Sequence, residues 1–322
     1  MPIDDADRAP GQIDVVVRQL RWEADGVVSV QLQASDGGPL PTWTPGAHID
    51  LELPTGIRRQ YSLCGPIGDR FHYRIGVRRE RTSRGGSEYV HAFLRPGQRL
   101  AVSNPRNTFE LQRAGSYVFV AGGIGITPIL PMINQVRACG ASWTLLYGGH
   151  TSASMAFLDE LTGYGQRVQI YAADVNGRIT LTEQFAQVRP DEHVYGCGPA
   201  SLMSALEDAT AHWPDGSLHV ERFQPRERRP AAPDRPIEVV CAASGKTVSV
   251  AADQSILAAL EAAGMKVESS CRSGICGACS TKVIEGVPDH RDDILSAEER
   301  RSGDRMYVCV SRARTPRLVL DV

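Results

Sequence analysis

The sequence predicts a multidomain protein with three consecutive fold classes: an antiparallel β-barrel, an α/β domain with a parallel sheet, and a small α+β domain. Three observations support this prediction. Short strand-like runs recur through residues 1–112, strand and helix patterns alternate over 113–225, and a proline-rich linker at 226–236 precedes a cysteine-rich module at 237–322. A chain of 322 residues is long enough to form several separate cores.

The first part contains apolar and β-branched runs that are separated by glycine and proline turns. Many short strands with few helical patterns are typical of a small antiparallel barrel. The predicted strands are Gln12–Leu20, Val27–Leu32, His48–Leu53, Gln60–Leu63, Phe71–Val77 and Arg99–Val102.

The second part alternates between buried-strand runs and amphipathic helices, which indicates a parallel sheet with crossover helices. The predicted strands are Tyr117–Ala121, Trp143–Tyr147, Arg167–Tyr171 and Val194–Gly196. The predicted helices are Thr127–Ala138, Phe157–Leu161 and Pro199–Ala211.

The third part follows a segment rich in proline and arginine, which we expect to be an extended spacer. Residues Ile237–Val250 alternate like a hairpin, and Ser255–Ala263 is a predicted helix with Asp253 as its N-cap and Gly264 at its C-terminal end. The charged run Asp289–Glu299 is expected to be a solvated loop or helix face.

The composition limits the partners that we expect. A formal net charge of −2 gives no reason to expect nucleic acid or an anionic membrane as a partner. The start of the chain lacks a positive, apolar signal sequence, and no apolar run is long enough to span a membrane. The cysteines outside the motif described next are scattered singly, so we expect a reducing, cytoplasmic setting. They are Cys64, Cys139, Cys197 and Cys241.

The cysteine-rich module carries the most specific motif in the chain. Cys271, Cys276 and Cys279 follow the spacing C-x4-C-x2-C, and Cys309 comes much later. This is the ligand spacing of a plant-type [2Fe–2S] cluster. A zinc site or a disulfide pair is the alternative, but zinc ligands usually come as two separated pairs. The spacing therefore favours the cluster, which transfers one electron at a time.

A glycine-rich turn follows the first predicted strand of the parallel sheet. It comprises Gly122, Gly123 and Gly125, followed by Thr127 and Pro128. We expect Thr127 to cap the next helix and Pro128 to occupy its first position. Close backbone approach at glycine and the free N–H groups of a helix N-terminus suit an anionic phosphate. Alone, this pattern is weak.

A second motif strengthens the prediction of a nucleotide site. The run Tyr195-Gly196-Cys197-Gly198-Pro199 stands at the carboxyl end of a later strand. Open parallel sheets bind ligands at that edge, so both motifs are expected to lie together there.

These motifs resemble the ferredoxin–NADP reductase superfamily. With the C-terminal cysteine motif, the whole chain resembles the phthalate dioxygenase reductase and vanillate O-demethylase reductase family, which are reductase components of Rieske oxygenases. The resemblance implies a flavin-binding barrel, a nicotinamide-binding α/β domain and a plant-type ferredoxin (β-grasp) domain, in that order.

The resemblance also implies the flavin site. Arg59, Tyr61 and Ser62 match a strand that binds the flavin in the family. An arginine can meet phosphate, a tyrosine ring can stack on the flavin, and a hydroxyl can hydrogen-bond its polar edge. The residues that match the family's FMN-phosphate segment are Ser83, Arg84, Gly85, Gly86 and Ser87. No further segment suggests a site for an adenylate, so FMN is favoured over FAD.

Two residues are assigned to the reacting centre on the resemblance, in addition to Ser62. Phe223 matches an aromatic residue that covers the flavin and yields to nicotinamide, and Cys197 matches a cysteine beside the nicotinamide. Each residue has a structural alternative. Phe223 could be a core residue that closes the sheet, and Cys197 could be a small buried residue. The mechanism requires little acid–base chemistry, so we assign no general base.

The segment Gly148–Ser154 bears on the choice of nicotinamide cofactor, because it contains no arginine or lysine. An enzyme for NADPH needs cations near the 2′-phosphate. NADH is therefore favoured, although Arg178 could approach from elsewhere in the chain. Asp174 is a candidate ribose contact or a turn residue.

The hypothesis from the sequence is an NADH-dependent reductase that passes single electrons from FMN through the cluster to a Rieske-type terminal oxygenase. A flavin reconciles the paired electrons of NADH with the single electrons of the cluster. Weak, transient docking favours a monomer. The alternatives are a self-contained NADH oxidase or acceptor reductase, and a redox-sensing iron–sulfur interaction protein.

Overall fold

The computed structural model of the chain describes residues 11–80, 82–83, 85–226 and 233–322. These residues form two compact units, which span 1–221 and 222–322. The first unit contains two sheets and the second unit contains the cysteine-rich module. No helix within the described ranges is long and apolar enough to cross a membrane.

The first sheet is antiparallel. Its strands are β1 (Gln12–Ala24), β2 (Val27–Ala34), β3 (Ala47–Glu52), β4 (Arg58–Ser62), β5 (His72–Arg78), β6 (Arg99–Ser103) and β7 (Arg106–Asn107). The order is β4-β3-β6-β1-β2-β5, with β7 on β3. A bridge between Leu63, just after β4, and Ile75 on β5 closes the sheet into a barrel.

The barrel core explains why these segments are strands. Side chains alternate between buried and partly exposed along β2, as expected when one face of a strand packs inward. Val15, Val30, Leu32, Ile49 and Tyr73 are among the fully buried residues of this core. A helix, α1 (Gly86–Ala92), lies between β5 and β6.

The second sheet is wholly parallel. Its strands are β8 (Ser116–Gly122), β9 (Ser142–Gly149), β10 (Val168–Ala172), β11 (Glu192–Cys197) and β12 (Leu218–Glu221). The helices are α2 (Ile126–Ala138), α3 (Leu158–Leu161), α4 (Leu181–Gln184) and α5 (Ala200–Ala209). The order β10-β9-β8-β11-β12 places a topological switch point between β8 and β11, where such sheets bind ligands.

The third sheet, in the second unit, is mixed. Its elements are β13 (Ile237–Cys241), β14 (Thr247–Val250), α6 (Ile256–Ala262), β15 (Ser280–Glu285), β16 (Pro288–Asp289), α7 (Ala297–Ser302), β17 (Arg305–Tyr307), β18 (Arg312–Ala313) and β19 (Arg317–Leu320). The order is β14-β13-β19-β15-β17, and β16 pairs with β18. Because β13 and β19 run parallel while α6 packs on the sheet, this is a β-grasp domain. The three predicted fold classes are confirmed, whereas the domain boundaries stay a prediction.

Both ends of the predicted linker are bonded to the second unit. Nε of Arg226 lies 3.2 Å from the buried carboxylate of Asp293. Nη1 of Arg291 donates to Asp234 at 2.9 Å. Within the described part of the linker, the chain is therefore held against the ferredoxin domain by two ion pairs.

Two local predictions in this unit are wrong. The N-cap of α6 is Ser255, whose hydroxyl accepts from the Ala258 N–H at 3.1 Å, so Asp253 does not cap the helix. The charged run after Asp289 is also not wholly solvated, since Asp292 is completely buried. Its Oδ1 accepts from the Leu295 N–H at 2.8 Å and from Nη2 of Arg300 at 3.3 Å, so a loop turn and an arginine, and not solvent, hold this oxygen.

Candidate functional site

The two glycine motifs meet at the carboxyl edge of the parallel sheet. A Cβ atom on Gly125 would lie 2.3 Å from the carbonyl oxygen of Cys197, and one on Gly198 would lie 3.0 Å from Cα of Gly122. Only glycine permits backbones to approach so closely. The predicted juxtaposition of the two motifs is therefore present, at the switch point between β8 and β11.

The helix that follows the first motif begins differently from the prediction. A 3₁₀ turn over Gly123–Gly125 leads directly into α2, whose N-cap is Gly125 without any side-chain cap. Thr127 does not cap the helix, because its hydroxyl donates to the Ile124 carbonyl at 2.9 Å. Pro128 is the third helical residue, not the first. The N–H of Ile126, the first residue of α2, is already bonded within that 3₁₀ turn, so the first N–H groups of this helical segment belong to the glycine turn and not to α2.

The barrel contacts the glycine-rich turn. A Cβ atom on Gly76 of β5 would lie 2.7 Å from Cγ2 of Thr127 and 3.3 Å from Cδ1 of Ile124. A second contact joins the two parts of this unit, since Nη1 of Arg74 binds the carboxylate of Glu160 at 2.5 Å. The barrel edge and the nucleotide edge of the first unit thus lie side by side.

The predicted flavin strand is β4. Arg59 and Tyr61 are two residues apart on this strand, so their side chains share one face. Ser62 is buried on the opposite face. Burial raises the pKa of Tyr61 to about 12, and its ring therefore remains neutral at physiological pH. A neutral aromatic ring beside a cation suits a ligand that carries both an aromatic system and a phosphate.

The predicted phosphate loop lies against this strand. A Cβ atom on Gly86 would lie 2.7 Å from Cγ of Arg59. The hydroxyl of Ser83 accepts from the Gly85 N–H at 3.1 Å and lies 3.1 Å from the hydroxyl of Ser87. Arg84, which was also assigned here, lies outside the described residues. The loop brings hydroxyls and the start of α1 next to a guanidinium, a donor set that fits a phosphate.

A carboxyl group that the sequence analysis did not assign completes the first-unit site. Glu221 ends β12, and its carboxylate oxygen lies 3.7 Å from Sγ of Cys197 and also accepts a hydrogen bond from Ser62. Burial raises the pKa of Glu221 to about 8, so it is mostly protonated at neutral pH. Burial and this neighbouring carboxyl raise the pKa of the Cys197 thiol. The sequence signal that could have identified Glu221 is its position as an acidic residue at the carboxyl end of a parallel strand.

Phe223 lies in the second unit, two residues after Glu221, and 38% of its surface is exposed. An exposed aromatic ring is uncommon in a core, so its alternative role as a core residue is not supported. Its predicted role at the flavin stays a prediction.

The segment Gly148–Ser154, which contains no arginine or lysine, includes the end of β9 and the turn that follows it. Thr151 and Ser154 form a reciprocal capping box there. Ile179 packs against Gly148, since a Cβ atom on Gly148 would lie 3.2 Å from Cδ1 of Ile179. Arg178, which precedes Ile179 in the chain, is exposed. Asp174 is exposed in the turn after β10.

The four motif cysteines of the second unit form two pairs. Hydrogen bonds join the thiols of Cys271 and Cys276, and those of Cys279 and Cys309. The first contact lowers the pKa of the Cys271 thiol. Within the described residues, no three His, Cys, Asp or Glu side chains converge as around a single metal ion. The four thiolates would together hold a [2Fe–2S] cluster, which supplies one-electron transfer.

Tight backbone turns hold this cysteine loop. Gly274 has a φ of +74°, and a Cβ atom there would lie 2.7 Å from Cγ2 of Val310. The Ser273 N–H donates to Sγ of Cys271 at 3.3 Å, and the Cys271 N–H to Sγ of Cys276 at 3.4 Å. Backbone donors aimed at sulfur stabilise thiolate ligands, so the loop suits a cluster with negative charge.

Two domain families match the chain. Residues 239–314 match the 2Fe-2S iron–sulfur cluster binding domain. Residues 119–208 match the oxidoreductase NAD-binding domain. The matched ranges contain the four-cysteine motif and both glycine motifs, respectively.

Relatives match over almost their whole length. A putative toluene-4-sulfonate monooxygenase system reductase subunit, TsaB2, from Comamonas testosteroni is 42% identical over 96% of this chain and 99% of its own. Phthalate dioxygenase reductase from Burkholderia cepacia is 40% identical over 93% of this chain and 94% of its own. Tetrachlorobenzoquinone reductase from Sphingobium chlorophenolicum is 39% identical over 96% of this chain and 98% of its own.

Solved structures give the same result. The chain matches the structure of phthalate dioxygenase reductase with a TM-score of 0.70 and 38% identity, over 97% of this chain and 98% of that one. It also matches an intact type IV self-sufficient cytochrome P450 monooxygenase with a TM-score of 0.94 and 42% identity. That match covers all of this chain but only 43% of the larger protein.

The fold and site define an oxidoreductase that transfers electrons from a pyridine nucleotide through a flavin to a [2Fe–2S] cluster. The chain belongs to the phthalate dioxygenase reductase and vanillate O-demethylase reductase family. The expected FMN and [2Fe–2S] cofactors are thereby confirmed, as is the reductase class.

Proposed function

We propose that this chain is the NADH-dependent reductase of a two-component oxygenase or demethylase system, and that its partner is a Rieske-type terminal oxygenase. The observation that carries the proposal is the match to phthalate dioxygenase reductase over nearly the full length of both chains. The name of that relative couples a reductase to a dioxygenase. We further propose that the chain acts as a monomer in the cytoplasm.

The first-unit residues bind and orient the reactants. Flavin accepts two electrons as a hydride and releases them singly. Arg59 and the loop Ser83–Ser87 hold its phosphate, and Tyr61 packs on its ring. The turn Gly122–Gly125, the start of α2 and Gly198–Pro199 bind the nicotinamide cofactor. Precise positioning is the main catalytic contribution, since hydride transfer needs aligned partners.

The buried polar side chains form a hydrogen-bonded row beside that centre. Ser62 and Cys197 both lie at Glu221, whose carboxyl group holds a proton at neutral pH. This row excludes bulk water and keeps a proton at the Glu221 carboxyl oxygen. Phe223 is assigned to the exposed flavin face, where it yields to nicotinamide.

In the second unit, four thiolates hold the cluster. The ligands are Cys271, Cys276, Cys279 and Cys309. The cluster that they would hold supplies one-electron transfer between the flavin and the oxygenase.

An anaerobic absorbance titration tests the proposal. Adding NADH to the purified chain should bleach both the flavin and the iron–sulfur bands, and a Rieske-type terminal oxygenase added next should become reduced. A P450 haem protein without its own reductase serves as the comparison acceptor, because the chain also resembles part of a self-sufficient P450. Faster reduction of the haem protein would contradict the Rieske assignment, and the absence of flavin absorbance would overturn the whole proposal.

Reduction of a small quinone is the second candidate function. The similarity to tetrachlorobenzoquinone reductase favours it. In that case quinone reduction should continue at full rate after the cluster has been lost, whereas transfer to an oxygenase should stop.

A further inference from the structure

The ferredoxin domain contains a basic cavity that the cofactor chemistry does not use. Its volume is about 510 Å³, and it lies between the end of α7 and the β16–β18 pair. We call it the basic cavity and define it by its lining residues Val287, Pro288, His290, Arg300, Arg301 and Arg314.

The charge of its lining has one sign. Three arginines line the cavity, and no aspartate or glutamate stands among its lining residues. The chain as a whole carries a net charge of −2, so this concentration of positive charge is local. A concave surface lined by one sign of charge focuses the field and attracts ligands of the opposite sign.

The three guanidinium groups differ in their freedom to bind a ligand. Arg300 is fixed, since its Nη2 donates to the Asp292 carbonyl at 2.7 Å and its Nε to the Leu295 carbonyl at 3.0 Å. The side chain of Arg301 is exposed and forms no hydrogen bond or ion pair with any residue in the described ranges. Arg314 lies 3.9 Å from Asp289, a weak contact with 71% of its side chain exposed. Arg301 and Arg314 are therefore available at the rim.

The wall of the cavity also contains a buried imidazole. His290 lines the cavity, its ring nitrogens are buried, and the ring has a hydrogen bond with the Arg300 backbone. Burial lowers the pKa of His290, so the ring is neutral and the positive charge of the lining comes from the three arginines.

The cavity is joined to the cluster loop by a short, rigid segment. Asp293, three residues after His290, donates its N–H to the Gly274 carbonyl at 2.9 Å. A Cβ atom on Gly274 would lie 3.1 Å from Cα of Asp292. A protein that docked in the cavity would therefore be seated beside the loop that carries Cys271 and Cys276.

The rim has the composition of a protein-binding surface. Val287 lines the cavity and is 48% exposed, and Ile284 on the neighbouring strand is equally exposed. Exposed aliphatic side chains next to arginines favour a protein partner over a lone inorganic ion, because an ion makes no use of apolar surface.

We propose that the basic cavity is the docking site for an acidic segment of the protein electron acceptor. Carboxylate side chains of that segment bind Arg301 and Arg314, and its apolar residues cover Val287. This inference rests on the proposed function, which requires a protein acceptor near the cluster. Charge complementarity of this kind steers association and fixes orientation.

Binding of a model acidic peptide tests the site without an acceptor. The probe is a peptide of eight glutamates with a neutral dye, and a peptide of eight glutamines is its uncharged counterpart. The full-length holoprotein is titrated at low ionic strength, and fluorescence anisotropy gives the Kd. The variants are Arg301→Glu, Arg314→Glu and the milder Arg301→Gln. Lys246→Glu is the matched control, because Lys246 is an exposed cation of the same domain outside the cavity.

The glutamate peptide should bind and the glutamine peptide should not. Each cavity reversal should weaken binding at least about fivefold, and Arg301→Gln less. Lys246→Glu should leave the Kd unchanged, and cluster absorbance confirms that each variant is folded. Equal weakening by Lys246→Glu would overturn the proposal, because attraction would then follow total charge.

A second arm separates a protein segment from a small anion. Inorganic phosphate is added to the peptide complex, with sodium chloride of matched ionic strength as the reference. Equal displacement by the two salts supports a protein-docking site, and displacement by phosphate alone would show a small-anion site and contradict the proposal. The NADH titration is read separately. Reduction of both cofactors without peptide binding would contradict only the proposed docking site. Failure of that reduction would contradict the proposed function itself.

Discussion

The carboxyl group of Glu221 lies 3.7 Å from the sulfur of Cys197, and both side chains are buried at the carboxyl ends of adjacent parallel strands. The two strands hold this pair in register, and Ser62 of the barrel joins it from the other part of the same unit. A protonated carboxyl is thereby fixed where the flavin strand meets the nucleotide edge.

The replacement Glu221→Gln should make stability less dependent on pH. Burial raises the pKa of the native carboxyl from 4.5 to about 8, so the unfolded chain ionises first as the pH rises. The stability that this group contributes is complete below pH 4.5 and is lost as the pH rises through 8. Relative to the variant, the wild type should lose about 3 kcal/mol of unfolding free energy between pH 5 and pH 8. Denaturant unfolding at both values measures this, and parallel pH profiles would refute the assigned pKa.

The replacement Cys309→Ser should separate the two halves of the electron path. Loss of one ligand should remove the iron–sulfur absorbance, whereas NADH should still bleach the flavin. Cys241→Ser is the matched control, because Cys241 is a fully buried cysteine of the same domain outside the motif. It should keep the cluster. Onward transfer that survived Cys309→Ser would disprove the linear route.

The replacement Gly125→Ala should disrupt the nucleotide edge. The added methyl group would lie 2.3 Å from a backbone carbonyl, which cannot move aside cheaply. We expect a loss of about 1–3 kcal/mol in stability and weaker NADH binding. Gly163→Ala is the control, because no atom lies within 4 Å of a Cβ there. Thermal unfolding and NADH titration of both variants decide the matter, and similar behaviour of the two would show that the close approach is unimportant.

The ion pair of Arg74 and Glu160 should stabilise the first unit. The arginine also donates to the Cys64 carbonyl at 2.6 Å and its guanidinium lies 5.2 Å from the ring centre of Phe157. Arg74→Met should cost about 1–2 kcal/mol, since the pair is partly exposed and solvent screens it. A double-mutant cycle with Glu160→Gln measures the coupling between the two residues. Simple additivity would mean that the ion pair contributes nothing.

The preference for NADH should be strong, and residual use of NADPH should depend on Arg178. No arginine or lysine stands in Gly148–Ser154, and Arg178 precedes Ile179, which packs at Gly148. Arg178→Gln should therefore lower kcat/KM for NADPH and leave the value for NADH unchanged. Steady-state kinetics with both nucleotides test this, and an equal decrease for both would place Arg178 elsewhere in binding.

The sequence predicted elements whose pattern is local. The strands that became β1 to β6 alternate in apolar character and were located to within a few residues. The cysteine and glycine motifs were recognised because their spacing is itself the chemical signal. Asp253 was misassigned as a cap because the neighbouring Ser255 offers a similar side-chain oxygen. Thr127 was misassigned because a 3₁₀ turn extends the helical segment toward the N-terminus and places Thr127 inside it.

Other features could not be predicted, because they arise from contacts between distant segments. Glu221 acquires its raised pKa only when the barrel and the parallel sheet enclose it. Asp292 stands in a charged run, and its burial depends on the loop turn and on Arg300. The basic cavity combines α7 with two short paired strands, whose residues show no common pattern along the chain.

The ion pairs Arg226–Asp293 and Arg291–Asp234 have a consequence for how such proteins evolve by recombination. These ion pairs bind both described ends of the linker to the ferredoxin domain. A gene fusion that joined this ferredoxin to another reductase at residue 237 would remove the ion pair between Arg226 and the buried carboxylate of Asp293. The heritable module therefore begins before the linker, and successful exchanges of electron-transfer domains should carry residues 226–236 with the cluster.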